Sequence, residues 1–290
     1  MKFECLYHNY KPLAFSVAYQ MMGSIHDAED IVQDVYVDLK EMDLSSISEH
    51  KAYLMKMVVN KSLNFLHSAR YKKEVYTGPW LPEPLVEINQ DEPLHRLVHE
   101  ESISYAFTVL LHNLTELERC VYILRESLSF DYATISVILN RTEQSLRKVY
   151  SRAKQKVKSP TKKTKDTLEN STLASLFING ATNGDFDPFI NKLTENVILV
   201  TDGGGKVLAA LNPIYGKKNV SAFLLGIYKR GSFEGIFNIT KINGEQGILQ
   251  EVEGVTSKAI MFANDSKGVT TIYFVMNPKK LLKTSHKFYP

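Results

Sequence analysis

Between Leu128 and Lys158, side chains able to recognise a nucleic acid are set out at helical spacing. Leu146, Val149, Ala153 and Val157 recur at steps of three and four, which gives a helix one apolar stripe. Thr142, Glu143, Gln144, Ser145, Arg147, Lys148 and Arg152 supply the start and the other face, with Lys154 and Lys156 further on. Gln, Ser and Arg side chains can pair with base edges, while Lys and Arg neutralise phosphates. Thr142 is placed to cap this helix, because its hydroxyl can accept a bond from a free N–H of the first turn. Asn140-Arg141 reads as a tight turn behind it, and Asp131–Leu139, with Ile135, Ile138 and Leu139 apolar, as a preceding helix. The pattern predicts a helix-turn-helix, which sets the N-terminal residues of its second helix in the major groove. Two amphipathic helices with a merely solvated basic face meet the same spacing, so the rest of the chain has to decide.

A second basic stretch runs from Ser48 to Lys73, and Ser48 is expected to cap it. Asn60 and Asn64 are four apart and share a helix face. Lys56, Lys61, Arg70, Lys72 and Lys73 surround them, and Tyr53, Leu54, Met57, Val58, Leu63, Phe65 and Leu66 supply apolar faces. Amides and aromatics on a basic helix suit single-stranded nucleic acid, whose unstacked bases offer rings and edges. A plain helix with its asparagines in water is the alternative. Ahead of it, residues 3–22 predict a helix with Leu6, Tyr10, Leu13, Val17 and Met21 on one side, interrupted by Gly23. The next helix opens at Ser24 or Asp27 and buries Ala28, Ile31, Val32, Val35 and Leu39. Asp27, Glu29, Asp30, Gln33, Asp34 and Asp38 fall largely outside that stripe, as a solvated face or a docking one.

The chain has 290 residues, enough for two or three domains, and a formal net charge of +3. Its charge is segregated. From Asp27 to Asp43 seven acids stand against one base, from Lys51 to Lys73 six bases against none, and from Arg141 to Lys165 ten bases against one acid. Separate faces therefore meet separate partners. Cys5 and Cys120, far apart, fit a reducing cytoplasm without a disulfide framework. No Cys/His cluster has the spacing of a zinc site. The N-terminus lacks an apolar signal core and no run approaches the length of a membrane span, so a cytoplasmic protein with no membrane partner is expected.

Taken together, these residues resemble the extracytoplasmic-function class of bacterial sigma factors. D-A-E-D-I-V-Q-D-V-Y, starting at Asp27, is similar to the helix by which that family docks on core RNA polymerase, through its beta and beta-prime subunits. The resemblance implies core contacts for Asp27, Glu29, Asp30, Gln33 and Asp34. A-Y-L-M-K-M-V-V-N-K-S-L-N-F-L, starting at Ala52, is similar to the segment that melts and reads the minus-10 element. Asn60 and Asn64 fall where the family takes a flipped base, with Lys56, Lys61, Arg70, Lys72 and Lys73 around them. Residues 100–158 resemble the sigma-4 domain, whose last helix reads the minus-35 element; this implies that role for Thr142, Glu143, Gln144, Ser145, Arg147, Lys148 and Arg152. The implied organisation is a sigma-2 domain at 1–74, a Pro-rich linker at 75–99, a sigma-4 domain at 100–158 and a flexible linker at 159–170.

Beyond Asn170 the pattern changes. Leu173–Thr182 and Phe186–Leu193 read as helices, as does Lys218–Lys229. Val197–Thr201, Val207–Leu211, Gly235–Lys241, Gly247–Val252, Ser257–Ala263 and Thr270–Met276 read as strands. Residues 171–290 are thus an α+β domain, helices over a curved, mostly antiparallel sheet. They resemble the SnoaL-like, NTF2-like cone that sigma factors of the sigma-J type carry as an extension. W-L-P-E-P at Trp80, D-G-G-G-K at Asp202 and N-P-K-K-L at Asn277 are similar to that group's signatures, but Lys279 stands where Asp is usual, which puts a family salt bridge there in doubt. Trp80, the sole tryptophan, sits in a Pro-rich stretch where it is expected to dock on the nearest domain or to act as a latch. Trp80, Leu81, Pro82 and the turn Asp202, Gly203, Gly204, Gly205 and Lys206 are expected to make a regulatory contact. Locally, that turn is expected to join Val197–Thr201 to Val207–Leu211 as a hairpin. No Asp–His pair is evident, so neither a catalytic set, a metal nor a cofactor is expected, and the chain is read as no enzyme. The resemblance implies control in cis that requires no separate anti-sigma factor, and it leaves room for an unidentified small ligand in the third domain. A helix-turn-helix regulator with a ligand-sensing domain, and an isomerase or cyclase with a DNA-binding half, remain the alternatives.

Overall fold

Gly23, at φ +66°, ends the first helix, α1 (Phe3–Met22), and Ser24 caps the second, α2 (Ile25–Lys40), by accepting from Asp27 N–H at 3.3 Å. The computed structural model describes residues 3–68, 76–86, 104–157 and 167–284. The α2 stripe, Ala28, Ile31, Val32, Val35 and Leu39, is buried as its spacing requires. Helix α3 spans His50–His67 and is shorter than expected at its start: Glu49, not Ser48, occupies the N-cap and makes no side-chain cap bond. Arg70, Lys72 and Lys73 lie outside the described residues.

Four more helices follow: α4 (Tyr105–His112), α5 (Glu116–Tyr122, running on into a π turn at Ile123–Ser127), α6 (Tyr132–Leu139) and α7 (Glu143–Lys156). Asp131 caps α6, and Asn140 closes it in the left-handed conformation at φ 50°. Thr142 then caps α7, accepting from Ser145 N–H at 3.3 Å. Leu146, Val149, Ala153 and Val157 are buried, so the predicted turn between two helices is present with its stripe inward.

The chain divides into two compact units. The first contains α1–α3 together with the residues from Phe107 through α7. Inside it, Arg119 of α5 is 7% exposed. Its guanidinium donates from Nε to Leu111 O at 3.0 Å and from Nη1 to Met21 O. Carbonyls in the last turns of α1 and α4 thus serve as its acceptors, at the negative ends of the two helices. Both helical modules therefore share one packed unit. Lys51 of α3 over Phe130, 5.7 Å from the ring centre, and His67 with Glu116 at 2.6 Å also join α3 to the later helices.

The second unit takes in residues 76–86, 104–106 and 167–284. Its elements are α8 (Thr167–Asn183), α9 (Asp187–Ile190), β1 (Leu193–Asp202), β2 (Ile214–Tyr215), α10 (Lys217–Tyr228), β3 (Ile236–Ile242), β4 (Glu245–Val252), β5 (Val255–Asp265) and β6 (Gly268–Val275). One six-stranded sheet runs β2-β1-β6-β5-β4-β3, parallel only between β1 and β6. Helices over a mixed sheet form the α+β arrangement that was expected. Phe177, Phe186, Phe189, Phe233, Phe262 and Phe274 are all buried in the core beneath the helices. Successive strand residues face opposite ways, and Met261, Tyr273 and Val275 on the other face are buried too. Tyr105 meets Tyr273 there edge-on, at 5.4 Å between ring centres, and donates its hydroxyl to Pro82 O at 2.8 Å.

Two local expectations fail. Val207–Leu211 is no strand; β1 pairs instead with the short β2, Ile198 opposite Tyr215. The glycine turn folds back at once, with Lys206 and Val207 N–H both donating to Gly203 O, and leaves Leu208 89% exposed with no sheet partner. The helix expected at Phe186–Leu193 shrinks to Asp187–Ile190, because Leu193 already belongs to β1, opposite Val269.

Candidate functional site

Three charged surfaces and one buried cluster carry the chemistry. On α2, Glu29, Asp30, Gln33 and Asp34 are exposed and Asp27 is half-buried. On α3, Asn64 is exposed and Asn60 and Lys56 half-buried, so the two amides are open to a ligand rather than walled into the core. Lys61 does not stand free. Its Nζ lies 2.9 Å from Asp38 and 3.8 Å from Asp34, which ties the basic helix to the acidic one. Screened pairs of this kind contribute little stability and exchange readily.

On α7, Thr142, Glu143, Gln144, Arg147, Lys148 and Arg152 are exposed and Ser145 half-buried, so the predicted reading face points outward. Arg147 pairs with Glu143 at 3.2 Å, four residues back on the same face. Its guanidinium also lies over the ring of Tyr132, 4.1 Å from the centre. Tyr150, which donates to Glu126, keeps its proton: burial first, and the nearby carboxylate second, push its phenol up.

The cluster lies wholly within the second unit and is built on Asp202, the last residue of β1, which is fully buried. Its Oδ1 accepts from Tyr76 hydroxyl and from Gly204 N–H at 3.0 Å. Its Oδ2 accepts from Leu81 N–H at 2.9 Å and from Lys280 Nζ at 2.8 Å. Four donors therefore satisfy one buried carboxylate, as burial demands. Lys280 also donates to Leu81 O and lies over the Trp80 ring, 4.1 Å from its centre. Burial pulls the Lys280 ammonium below the usual lysine range, against the opposite pull of Asp202. Burial and the Asp202 carboxylate both push the Tyr76 phenol up, which keeps it a donor.

The last of the three strings closes the cluster. Asn277 accepts from Lys279 N–H at 3.1 Å and donates from Nδ2 to Tyr76 at 2.8 Å, while its own N–H donates to Asp202 O at 2.9 Å. Gly204, at φ +59°, is where this close approach requires a glycine: a Cβ there would lie 2.3 Å from Asn277 Nδ2. Further along, Leu85 N–H donates to Asn243 Oδ1 at 3.0 Å, Asn243 N–H returns to Leu85 O at 2.8 Å, and Val86 bridges Ile242. Residues 76–86 are thus laid into the α+β unit by main-chain bonds as well as side chains.

The structure brings Trp80, Leu81, Asp202 and Gly204 together, with Pro82 buried beside them, whereas Gly205 and Lys206 are exposed. Asp202 is a strand end, not a turn residue. The ion pair of this cluster is made by Lys280, and the exposed Lys279 takes no part in it beyond its N–H. Sequence reasoning missed Tyr76, Asn277 and Lys280 as partners of Asp202. The N-P-K-K-L string was the available signal, and its second lysine, not its first, is the one that reaches Asp202.

A cleft of about 450 Å³ lies at one end of the sheet of the third domain, lined mainly by polar residues including Asn191, Lys192, Asn264 and Lys267. Among the described residues no group of three or more His, Cys, Asp or Glu is placed to hold a metal ion, and no helix is long and apolar enough to cross a membrane.

Comparison with known proteins gives the arrangement a context. Residues 6–71 match the family model for sigma-70 region 2. The ECF RNA polymerase sigma factor SigJ of Mycobacterium tuberculosis is 30% identical over 280 residues, covering 91% of this chain and 88% of the relative. A protein described as a probable ECF RNA polymerase sigma factor, SigI of the same species, is 20% identical over 268 residues, 91% of this chain and 90% of its own. The crystal structure of the Mycobacterium tuberculosis extracytoplasmic function sigma factor SigJ superposes with a TM-score of 0.77 at 26% identity, over 94% of this chain and 96% of that one. With an outward basic helix-turn-helix, an open pair of asparagines and a relative at this identity over nearly its full length, the chain belongs to the extracytoplasmic-function sigma factors.

Proposed function

We propose that this sigma factor directs core RNA polymerase to promoters through its first unit, and that its third domain controls it in cis by gripping the stretch between the two helical modules. The acidic face of α2, with Asp27, Glu29, Asp30, Gln33 and Asp34, docks on the core. Asn60 and Asn64 take unstacked minus-10 bases, with Lys56 and Lys61 beside the backbone. The outward face of α7 reads the minus-35 duplex through Glu143, Gln144, Arg147 and their neighbours. No bond is made or broken by the chain; its work is binding and positioning.

The single observation behind the control is the Asp202 carboxylate, whose four donors include two from residues 76–86. Those residues stand in sequence between the minus-10 and minus-35 modules. A fused domain is present at high effective concentration, so a modest contact suffices and no separate anti-sigma factor is required.

The test is run-off transcription with core polymerase, comparing full-length protein, Asp202→Ala and a chain ending at 158. Control in cis predicts that Asp202→Ala shifts promoter output in the same direction as truncation. Equal output from all three discards cis control. No promoter-dependent transcript from any of them discards the assignment of these faces.

A further inference from the structure

The Tyr132 ring stands where the two helices of the helix-turn-helix meet, and it is held from several sides. Tyr150 of α7 meets it edge-on, with ring centres 6.2 Å apart. The Arg125 guanidinium lies over it at 5.0 Å, itself tied by Nη1 to Phe130 O at 2.7 Å. Arg147 is the third neighbour, at 4.1 Å from the ring centre. Although the Arg147 side chain is 60% exposed, its guanidinium thus lies over an aromatic ring that other side chains hold in turn.

That geometry has a chemical consequence. A guanidinium stacks through its face and hydrogen-bonds through its edge, where its N–H groups form a planar fork. Arginine reads guanine by presenting two N–H groups of that edge to O6 and N7. A guanidinium held by its face over Tyr132 would therefore lose none of the donors that reading needs. The Glu143 contact is of the other kind: at 3.2 Å from Nη2 it occupies the edge itself, and it has to let go before a base can be taken.

We propose that Tyr132, outside the reading helix, is a positioning residue that sets sequence preference at the base Arg147 contacts. Tyr132 presents the guanidinium plane ready-made, while Glu143 occupies its edge until duplex DNA arrives. The inference rests on the assignment of α7 as the minus-35 reader and goes beyond it by assigning a role on the preceding helix.

The experiment uses full-length protein with core polymerase and a promoter panel carrying each base at each minus-35 position. Arg147→Ala identifies the position by flattening preference there. Tyr132→Leu is expected to lose about two- to fivefold of that same preference, the range of an exposed cation–π contact. Preference at other positions and the salt dependence of output stay as in the unaltered protein. Tyr132→Phe and Tyr132→Trp keep a ring face and keep the preference, which secures the test should the leucine variant fail to fold. A uniform loss on every promoter from Tyr132→Leu, or unchanged preference, overturns the proposal. So does Tyr132→Phe behaving like Tyr132→Leu, which would place the hydroxyl on a phosphate. If Arg147→Ala alters preference at no position, the minus-35 assignment fails and takes the inference with it; if Arg147→Ala does and Tyr132→Leu does not, the inference alone fails.

Discussion

Lys280–Asp202 and Lys61–Asp38 are both lysine–carboxylate pairs, at 2.8 and 2.9 Å, and they do opposite work. In the first, the side chains are 8% and 0% exposed; in the second, 31% and 50%. The buried pair sits among donors that saturate the carboxylate, and breaking it strands a charge away from water. The exposed pair faces water, which replaces either partner at little cost. Between the two units, then, similar chemistry makes a fixture in one and an exchangeable contact in the other. The fixture holds residues 76–86 to the α+β domain, and the exchangeable pairs line surfaces proposed to meet DNA and polymerase.

Breaking the fixture should have the largest effect. Asp202→Ala leaves Lys280 buried without its carboxylate, and the α+β unit should lose about 3–5 kcal/mol of stability. Calorimetric unfolding of the full chain measures it, alongside protease sensitivity of residues 76–86. Asp202→Asn combined with Lys280→Met removes both charges and should recover much of that loss, since the two sites are coupled. A double variant as unstable as the single one would show that the pair is no unit.

The second effect tests whether burial alone, without a carboxylate, defines the α+β unit's handling of charge. Lys258 is 3% exposed and donates to Ser232 O at 2.9 Å and to its hydroxyl at 3.3 Å, with its ammonium 4.6 Å from the Phe233 ring centre. Burial pulls its pKa down to about 8. An unfolded lysine titrates near 10.4, so between those values the unfolded chain binds the extra proton. Stability from this group therefore rises as pH climbs from about 8 to about 10, by about 3 kcal/mol in total, and the cost is in full force below the folded pKa. The measurement is the stability difference between the unaltered protein and Lys258→Met across that range, which cancels the other titrating groups. A difference flat with pH would mean that Lys258 is solvated.

Tyr76→Phe should cost less, about 1–2 kcal/mol, because it removes one donor from Asp202 and leaves Gly204 N–H, Leu81 N–H and Lys280 in place. Its readout sharpens the contrast: protection of residues 76–86 should fall while that of α7 stays unchanged.

Much of the exposed half of this comparison was legible before any coordinates. Helix periodicity is local, so the stripes of α2 and α7, the Asn140 turn and the Thr142 cap could be read off neighbouring residues. The buried half was not. Asp202 meets residues 121 and 126 positions away, and nothing in D-G-G-G-K says whether its aspartate ends a strand or starts a turn. Val207–Leu211 alternates as a strand does, yet Ile214 and Tyr215 take the place beside β1. Arg119 had no signal at all, since an arginine on a short helix reads as solvated until its carbonyl acceptors, one of them 98 positions away, are in place.

The smallest effect probes the exchangeable side. If Asp38 and Asp34 hold Lys61 in competition with phosphate, Asp38→Asn should strengthen binding of single-stranded DNA by the free protein. An exposed pair is worth less than about 1 kcal/mol, so the gain is less than about fivefold, and it should vanish as salt rises. One more neutralised phosphate steepens the salt slope by up to about 0.7 on a single strand. Lys61→Gln in the same background should remove both changes, whereas a gain that survives it would come from reduced acidity of α2 in general. Asp34 is also proposed to contact core, and its distance to Lys61, 3.8 Å, leaves it the weaker holder of the two. Core binding would then draw off Asp34 without freeing the lysine fully, and the remaining Asp38 contact would be displaced only by DNA itself. Affinity and slope unchanged by Asp38→Asn would mean that Lys61 never reaches the strand, and that the two helices are simply stitched together.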